Sequence, residues 1–293
     1  NTVYPYLVIE RKIRETGELY FDADSVASRE AVNRYNNSLD LWEQRNGFPI
    51  KEENGLLFIE AYENTTLSIL EMLLKRSKVP NREQREYNLR YLRQSGVEFE
   101  DTLKKFALQN GFVNSRIILI YGAAGTGKTT LLNHISNMMN SSKKLFLAKT
   151  HTALQNLKRR IENAGPECDF ISIDSFINSN HGSGYEIVFV DECSTIDNRA
   201  MKRLLDKIDE TTFLVLSGDI YQIESIDFGN WFYYAKDIIQ TNGANVELFN
   251  TWRTDKKELK SLWNEVRNIA PIITEKLAMD GPFSSDIGED LFI

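Results

Sequence analysis

The sequence has few cysteines and histidines, with two cysteines and three histidines among 293 residues. Cys168 and Cys193 are too few for a disulfide framework, and no spacing of cysteine with histidine fits a zinc site. We therefore expect a reducing, cytoplasmic setting and no protein-bound zinc.

Long apolar runs are missing as well. No run approaches the roughly 20 residues that a membrane-spanning helix needs, and the N-terminus has no signal-peptide pattern. We expect no membrane partner. Because the chain begins with Asn1 rather than Met, we also expect a fragment of a longer protein.

Positive charge is not in excess, since the formal net charge is -7 and the pI is about 5.2. This balance excludes a generic polyanion binder and leaves room for a local basic groove. With 42% hydrophobic and 26% charged residues, the composition is typical of a globular protein rather than of a disordered one.

The sequence pattern changes at about residue 112, which we predict to be a domain boundary. In residues 1–112, apolar runs at 3–9 and 18–21 flank Thr16-Gly17, which predicts a short hairpin. Helical patterns come next, at about 28–46, 58–77 and 80–94. We expect a smaller α+β or mainly helical region of unknown function, either a separate domain or an elaboration of residues 113–293, with the capacity to bind a protein partner.

Residues 113–293 alternate short apolar strands with helices. The predicted strands are 116–121, 144–148, 170–173, 186–190, 212–216 and 246–248. The predicted helices lie near 128–140, 151–163, 198–209, 230–240 and 255–268. Continuous apolar strands between helices predict an α/β fold with a mostly parallel sheet that is covered on both faces.

A glycine-rich segment between an apolar strand and a helix is the clearest chemical signal. It satisfies G-x-x-x-x-G-K-[ST] and consists of Gly122, Ala123, Ala124, Gly125, Thr126, Gly127, Lys128, Thr129 and Thr130. Glycines let backbone N–H groups surround phosphates, and the helix N-terminus adds partial positive charge. This context predicts a P-loop in which Lys128 reaches the β- and γ-phosphates and the Thr129 hydroxyl binds Mg²⁺.

Two carboxylates come directly after the apolar run 187–190, at the strand end where α/β sheets bind ligands. Asp191 is predicted to hold Mg²⁺, and Glu192 is predicted to position or deprotonate the attacking water. The expected cofactors are therefore ATP and Mg²⁺.

Further segments after the P-loop determine the protein class. They are 147–154, 171–176, 190–197, 216–223 and 248–253. In this order and spacing, and together with the P-loop, they resemble motifs I, Ia, Ib, II, III and IV of superfamily 1 DNA helicases. The resemblance is closest to the RecD-like group (exonuclease V alpha subunit) and the related phage Dda helicase. It implies a RecA-like P-loop NTPase core, the helicase domain 1A, within residues 113–293.

The resemblance also implies roles for individual residues. Gln222 would sense the γ-phosphate, and Arg253 would reach it and offset charge in the transition state. Thr150, His151, Thr152 and Ser175 would contact the backbone of single-stranded DNA, although a plain helix cap also explains the threonines.

Phe176, the aromatic cluster 231–234 and the basic run 158–160 can each be interpreted in two ways. Phe176 is either a core residue or a base-stacking platform. The aromatic cluster 231–234 is expected to pack a helix on the sheet, although one member could stack on a base. The basic run 158–160 is more consistent with a solvated helix face than with a DNA path.

Three features depart from a complete helicase. Motifs V and VI are absent, which predicts a chain cut before a second RecA-like domain and therefore weakly active alone. The segment 177–186 is too short for the strand-separating hairpin of RecD-like helicases. No convincing Q-motif glutamine precedes the P-loop, with Gln94 and Gln109 as the candidates.

From these observations we expect the ATP-binding motor domain of a superfamily 1 DNA helicase or translocase that moves along single-stranded DNA. Two alternatives remain open. One is a nucleotide-switched protein-interaction module without translocation, and the other is an RNA-directed helicase of the same superfamily.

Overall fold

The computed structural model describes residues 2–81, 83–96, 101–179, 184–220 and 229–249. The helices are α1 (Tyr4–Thr16), α2 (Ala23–Val26), α3 (Arg29–Ser38), α4 (Leu41–Arg45), α5 (Glu60–Ser77), α6 (Gln84–Gln94), α7 (Thr102–Asn110), α8 (Lys128–Met138), α9 (His151–Arg160), α10 (Ile173–Asn178), α11 (Asn198–Lys207) and α12 (Trp231–Ile238). The strands are β1 (Phe21–Asp22), β2 (Ile50–Glu53), β3 (Leu56–Ile59), β4 (Ile117–Gly122), β5 (Lys144–Ala148), β6 (Cys168–Ser172), β7 (Ile187–Val190), β8 (Phe213–Gly218) and β9 (Asn245–Leu248).

The larger sheet has six strands in the described part of the chain, in the order β6-β5-β7-β8-β4-β9. All of its neighbouring strands pair in parallel. Every residue of β4, β5 and β7 is buried, because helices cover both faces of the sheet. The predicted α/β fold with a mostly parallel sheet is confirmed, and each predicted strand lies within two residues of an observed one.

Alternate residues along the strands enter two separate cores. On one face, Leu119 and Val190 pack with residues of α5, α10, α11 and α12. On the other face, Ile118 and Phe189 pack with residues of α7, α8 and α9. This separation results from the two-residue period of a strand, which turns successive side chains to opposite faces.

Part of the first 112 residues completes these two cores. Ile69 and Leu73 of α5 belong to the first core, and Leu108 of α7 and Phe112 belong to the second. The boundary at residue 112 stays a prediction. The packing shows that α5 and α7 cover the six-stranded sheet.

The residues before α5 form a small unit of their own. Its antiparallel sheet has the order β1-β3-β2. Its core contains Ile9 and Ile13 of α1, Tyr35 of α3, Ile50 of β2 and Leu57 of β3. The unit combines helices with a sheet, which agrees with the α+β expectation for this region.

The hairpin predicted at Thr16-Gly17 is wrong, because residues 4–16 form α1. Ile9 and Ile13 are spaced four residues apart and enter the core from one helix face. Gly17 is the left-handed C-cap of this helix, with a φ of 70° and an N–H that donates to the Ile13 carbonyl.

The hairpin of this region joins β2 and β3 instead. Asn54 and Gly55 have φ values of 52° and 82° in its turn. Positive φ at both central residues is typical of a type I′ turn, for which Asn-Gly is the preferred sequence.

The predicted N-terminal helices also differ in their limits. The pattern at 28–46 is divided between α3 and α4, where Asp40 and Glu43 form a capping box. The pattern at 58–77 begins in β3, so that the helix starts at Glu60.

The predicted helices at 128–140, 151–163, 198–209 and 230–240 are observed as α8, α9, α11 and α12, and the one at 255–268 lies outside the described residues. Among the residues that the structure describes, no helix combines the length and apolarity that crossing a bilayer requires.

Candidate nucleotide-binding site

The predicted P-loop connects the end of β4 to the start of α8. Gly127 precedes the helix in a left-handed conformation, with a φ of 87°. A Cβ atom on Gly122 would lie 2.8 Å from the Leu248 carbonyl oxygen of the neighbouring strand, so this position has no room for a side chain. The α8 N-terminus has no side-chain cap, which leaves its backbone N–H groups available to a bound anion.

Lys128 folds back over this loop. Its Nζ atom donates hydrogen bonds to the carbonyl oxygens of Gly122, at 2.7 Å, and Ala123, at 3.1 Å. Burial lowers the pKa of Lys128, and the carboxylates of Asp219, Asp191 and Glu192 oppose that shift. The ammonium group therefore lies among three carboxylates at one end of the sheet.

Asp191 and Glu192 come directly after β7. Asp191 Oδ1 accepts hydrogen bonds from Ser217 Oγ of β8, at 2.7 Å, and from the Glu192 N–H, at 3.0 Å. These two bonds fix the Asp191 carboxylate, and no described residue donates a hydrogen bond to its second oxygen. Glu192 has a φ of 57°, in the left-handed region, which turns the chain sharply at the strand end.

The surroundings of Glu192 change its acidity. Partial burial in the cavity wall raises the pKa of Glu192, the neighbouring Asp191 adds to the rise, and Lys128 opposes it. A carboxyl group with a raised pKa is a stronger base once it has lost its proton.

These groups line one cavity of about 600 Å³. The predicted site residues in its wall are Ala124, Gly125, Gly127, Lys128, Thr129, Thr130, Asp191 and Glu192. Thr126 is buried beneath the loop, where its hydroxyl donates to the Ala123 carbonyl at 2.9 Å. The structure therefore brings the P-loop and both carboxylates together, while Gln222 and Arg253 lie outside the described residues.

Lys104 is a cavity residue that the sequence reasoning missed. It lies on α7, 9% of its side chain is exposed, and its Nζ atom is 3.9 Å from Asp101 Oδ2. A Cβ atom on Gly127 would lie 2.5 Å from that same Nζ, so the lysine lies directly against the P-loop. Burial lowers the pKa of Lys104, and Asp101 opposes the shift. No motif marks this position, because only tertiary packing brings α7 to the loop.

Asp219 and Arg160 also line the cavity without a predicted nucleotide role. Asp219 is 5% exposed and comes directly after β8. Asp219 lies within the helicase-like segment 216–223, so the sequence contained a signal from which this residue could have been predicted. Arg160 belongs to the basic run 158–160, which is exposed as predicted.

The predicted DNA contacts lie at the same edge of the sheet. Thr150 lies after β5 and caps α9, since its hydroxyl accepts a hydrogen bond from the Ala153 N–H at 3.1 Å. His151 and Thr152 are exposed in the first turn of that helix. Ser175 is exposed near the start of α10, beside β6, which pairs with β5. Thr150 is therefore the N-cap of α9, while the side chains of His151 and Thr152 remain exposed to solvent.

Burial decides between the readings of the aromatic residues. Phe176 is 1% exposed and is a core residue rather than a stacking platform. Trp231 and Phe232 pack α12 on the sheet, as expected, with exposures of 0% and 1%. Tyr233 of the same cluster is 51% exposed.

The AAA domain family matches residues 106–280, which is more than half of the chain. An uncharacterized protein of Methanocaldococcus jannaschii is 25% identical, over 86% of this chain and 24% of its own length. The RecBCD enzyme subunit RecD of Buchnera aphidicola is 28% identical, over 46% of this chain and 28% of its own length. The match to the family and the similarity to RecD confirm the resemblance predicted from the motifs.

Among solved structures, Bacteroides Pif1 bound to single-stranded DNA is 18% identical, with a TM-score of 0.40. The match covers 62% of this chain and 49% of that chain. The chain thus spans about a quarter of the length of the two curated relatives and about half of this solved chain.

Proposed function

Because the chain belongs to the AAA domain family, we propose that it is the ATP-binding motor domain of a superfamily 1 DNA helicase or translocase, which hydrolyses ATP to move along single-stranded DNA. The observation that carries this proposal is the single cavity in which the P-loop, Lys128, Asp191 and Glu192 meet. A phosphate-binding loop and a general base in one cavity are what hydrolysis of a nucleoside triphosphate requires.

The residues present fit Mg²⁺ and ATP. The uncapped start of α8 and the side-chain-free Gly122 form a concave anion site, and Lys128 adds the positive charge. The Thr129 hydroxyl and the Asp191 carboxylate line the same cavity and are oxygen ligands of the type that Mg²⁺ prefers. When bound, the ion offsets negative charge on the phosphates.

Glu192 acts as the general base that positions and deprotonates water. Its raised pKa favours proton uptake, and Glu192 lines the same cavity as the P-loop. Lys104 adds a second ammonium group at the Gly127 end of the loop and helps to hold the phosphates. We retain Gln222 and Arg253 as predicted sensors of the γ-phosphate.

Single-stranded DNA crosses the sheet edge at Thr150, His151, Thr152 and Ser175. Exposed hydroxyl and imidazole groups beside two helix N-termini are suited to contacts with backbone phosphates. The proposal further includes that the chain is of the exonuclease V alpha subunit type and that it acts in the cytoplasm.

The test is the ATPase rate of the full-length protein with no nucleic acid, with single-stranded DNA and with single-stranded RNA. We expect strong stimulation by DNA and its loss in Lys128→Ala. His151→Ala should lower stimulation while leaving the rate without DNA unchanged, because His151 lies outside the nucleotide cavity.

Each rival gives a different result in the same assay. Hydrolysis that ignores both nucleic acids would overturn the motor proposal and favour the nucleotide-switched interaction module. Stimulation by RNA alone would identify an RNA-directed helicase. Binding of a protein partner through residues 1–112 would then be the next property to measure.

A further inference from the structure

A second cavity of about 400 Å³ lies where the small N-terminal unit meets α5 and the start of α11. Its wall includes Tyr6, Asn46, Phe48, Tyr62, Asp197 and Arg199. The volume is within the range of roughly 300–1,000 Å³ typical of small-molecule sites. A single ring system is small enough for this volume.

Aromatic rings form much of this wall. The rings of Tyr6 and Phe48 stack with centroids 6.0 Å apart and planes inclined by 20°. Trp42, with 64% of its surface exposed, continues the aromatic surface outward, since its ring centroid is 5.9 Å from that of Phe48. Tyr6 and Phe48 are both only partly buried, so part of this aromatic surface stays open to the cavity. Such a surface can stack on any nucleobase, because every base has a π-face.

Two polar groups of the cavity are unused within the described residues. The Tyr6 hydroxyl makes no hydrogen bond there, and the Arg199 guanidinium makes neither a hydrogen bond nor an ion pair. By contrast, the Tyr62 hydroxyl donates to Glu10 Oε1 at 3.2 Å, and Arg14 pairs with the same carboxylate at 3.2 Å. Acidic and basic side chains balance in this wall, so a flat ligand with a hydrogen-bonding edge suits it better than a bare phosphate.

The cavity adjoins the predicted DNA contacts. Its Asp197 Oδ2 lies 3.4 Å from Lys149 Nζ, and the same Nζ lies 3.5 Å from Asp174 Oδ1. Lys149 directly precedes Thr150, and Asp174 directly precedes Ser175. One lysine side chain thus spans the distance from the proposed strand path to the cavity.

We propose that this cavity takes one unstacked base of the single strand that passes Thr150 and Ser175. The base stacks on the Tyr6–Phe48 wall, and its edge meets the Tyr6 hydroxyl and the Arg199 guanidinium. This proposal rests on the proposed function, because it needs a strand at the sheet edge. It gives the small N-terminal unit a direct part in holding the strand.

The experiment is an abasic walk with the full-length protein. Affinity is measured by fluorescence anisotropy for a series of labelled oligonucleotides, each with one base removed at a different position. We expect one position at which removal weakens binding about 5- to 150-fold in the wild type, as the loss of one stacked base predicts. In Tyr6→Leu and Arg199→Gln the penalty at that position should fall to about twofold or less.

Two variants are matched controls. Tyr87→Leu changes an exposed tyrosine of α6, and Arg203→Gln changes an arginine one turn further along α11, both outside the cavity. Both should keep the wild-type penalty. If Tyr6→Leu lowers the melting temperature, Arg199→Gln decides the test, because Arg199 is exposed and its guanidinium makes no hydrogen bond or ion pair within the described residues.

The outcomes separate the two proposals. The base site would be overturned if both cavity variants kept the wild-type penalty. It would also be overturned if no position of the removed base changed the affinity of any of the proteins, which is the result expected of a site for a free nucleoside. If the wild type stays stimulated by DNA in either case, the motor proposal stands. A wild type that neither binds nor responds to DNA would overturn the motor proposal and the base site together.

Discussion

The two sheets of this protein differ in how they meet solvent. In the six-stranded sheet, β4 and β7 are buried throughout, with helices on both faces. In the three-stranded sheet, β2 buries Ile50 and exposes Lys51, Glu52 and Glu53. Helices thus cover both faces of the larger sheet, whereas the smaller sheet leaves most of its edge strand β2 exposed.

This difference determines which sheet can bring functional side chains together. In a parallel sheet the carboxyl ends of all strands lie at one edge, so the side chains that follow β4, β5, β7 and β8 lie near each other there. The antiparallel sheet alternates its strand ends and gathers no such set. We therefore expect substitutions at the parallel edge to remove activity, and substitutions in the small unit to change stability or DNA affinity instead.

Lys128→Ala should reduce activity more than any other change considered at the parallel edge. Removing an ammonium group from a partly buried phosphate site should lower the ATPase rate by about 100-fold or more. The fold should persist, since among the described residues Lys128 Nζ donates only to loop carbonyls, although Asp219, Asp191 and Glu192 lose a nearby positive charge. Steady-state ATPase assays and thermal melting check this. Lys105→Ala, at an exposed position of α7, is the control and should keep the wild-type rate.

Glu192→Gln should bind ATP and lose about 100-fold or more in hydrolysis, because the amide cannot accept the proton. Burial and Asp191 raise the pKa of Glu192, so the wild-type rate should rise with pH through that raised pKa as the carboxyl group loses its proton. A pH–rate profile checks this. A variant that retains both the rate and its pH dependence would exclude Glu192 as the base.

A pair of alanine substitutions tests whether the two regions are separate. Ile69 of α5 and Ile9 of α1 are both fully buried, in different cores. Each change to alanine should lower the free energy of unfolding by about 2–5 kcal/mol. Region-resolved hydrogen exchange should show faster exchange around the six-stranded sheet in Ile69→Ala and mainly in residues 2–59 in Ile9→Ala. Equal acceleration everywhere in both variants would mean one cooperative unit.

A weaker destabilisation is expected at the contact between α5 and the turn before β8. Arg76 is 3% exposed and donates to the carbonyl oxygens of Asp209, at 2.8 Å, and Glu210, at 3.1 Å. Arg76→Met should lower the free energy of unfolding by about 1–3 kcal/mol, since it removes these hydrogen bonds and leaves the buried Thr212 carbonyl oxygen, 3.3 Å from Arg76, without its donor. Chemical denaturation measures it. Lys75→Met removes only the exposed pair with Glu210 and should leave the denaturation midpoint unchanged.

Prediction from sequence succeeded where burial leaves a simple pattern. Apolar runs such as 117–120 and 187–190 identify strands because both faces are covered, and the P-loop is local in sequence. It failed at residues 4–16, where a charged helix buries only a narrow stripe and its apolar run resembles a strand. The Asn54-Gly55 turn carries a usable hairpin signal that the sequence reasoning missed.

The parallel core, the phosphate loop and the paired carboxylates can be predicted from the sequence, because each depends on residues adjacent in the chain. The position of Lys104 against Gly127, the hydrogen bond from Ser217 to Asp191, and the cavity that Tyr6 shares with Arg199 all depend on the packing of the folded chain. These contacts join residues far apart in sequence, and their geometry depends on how helices pack against the sheet. No local pattern encodes that packing, since it results from the shape of whole buried surfaces.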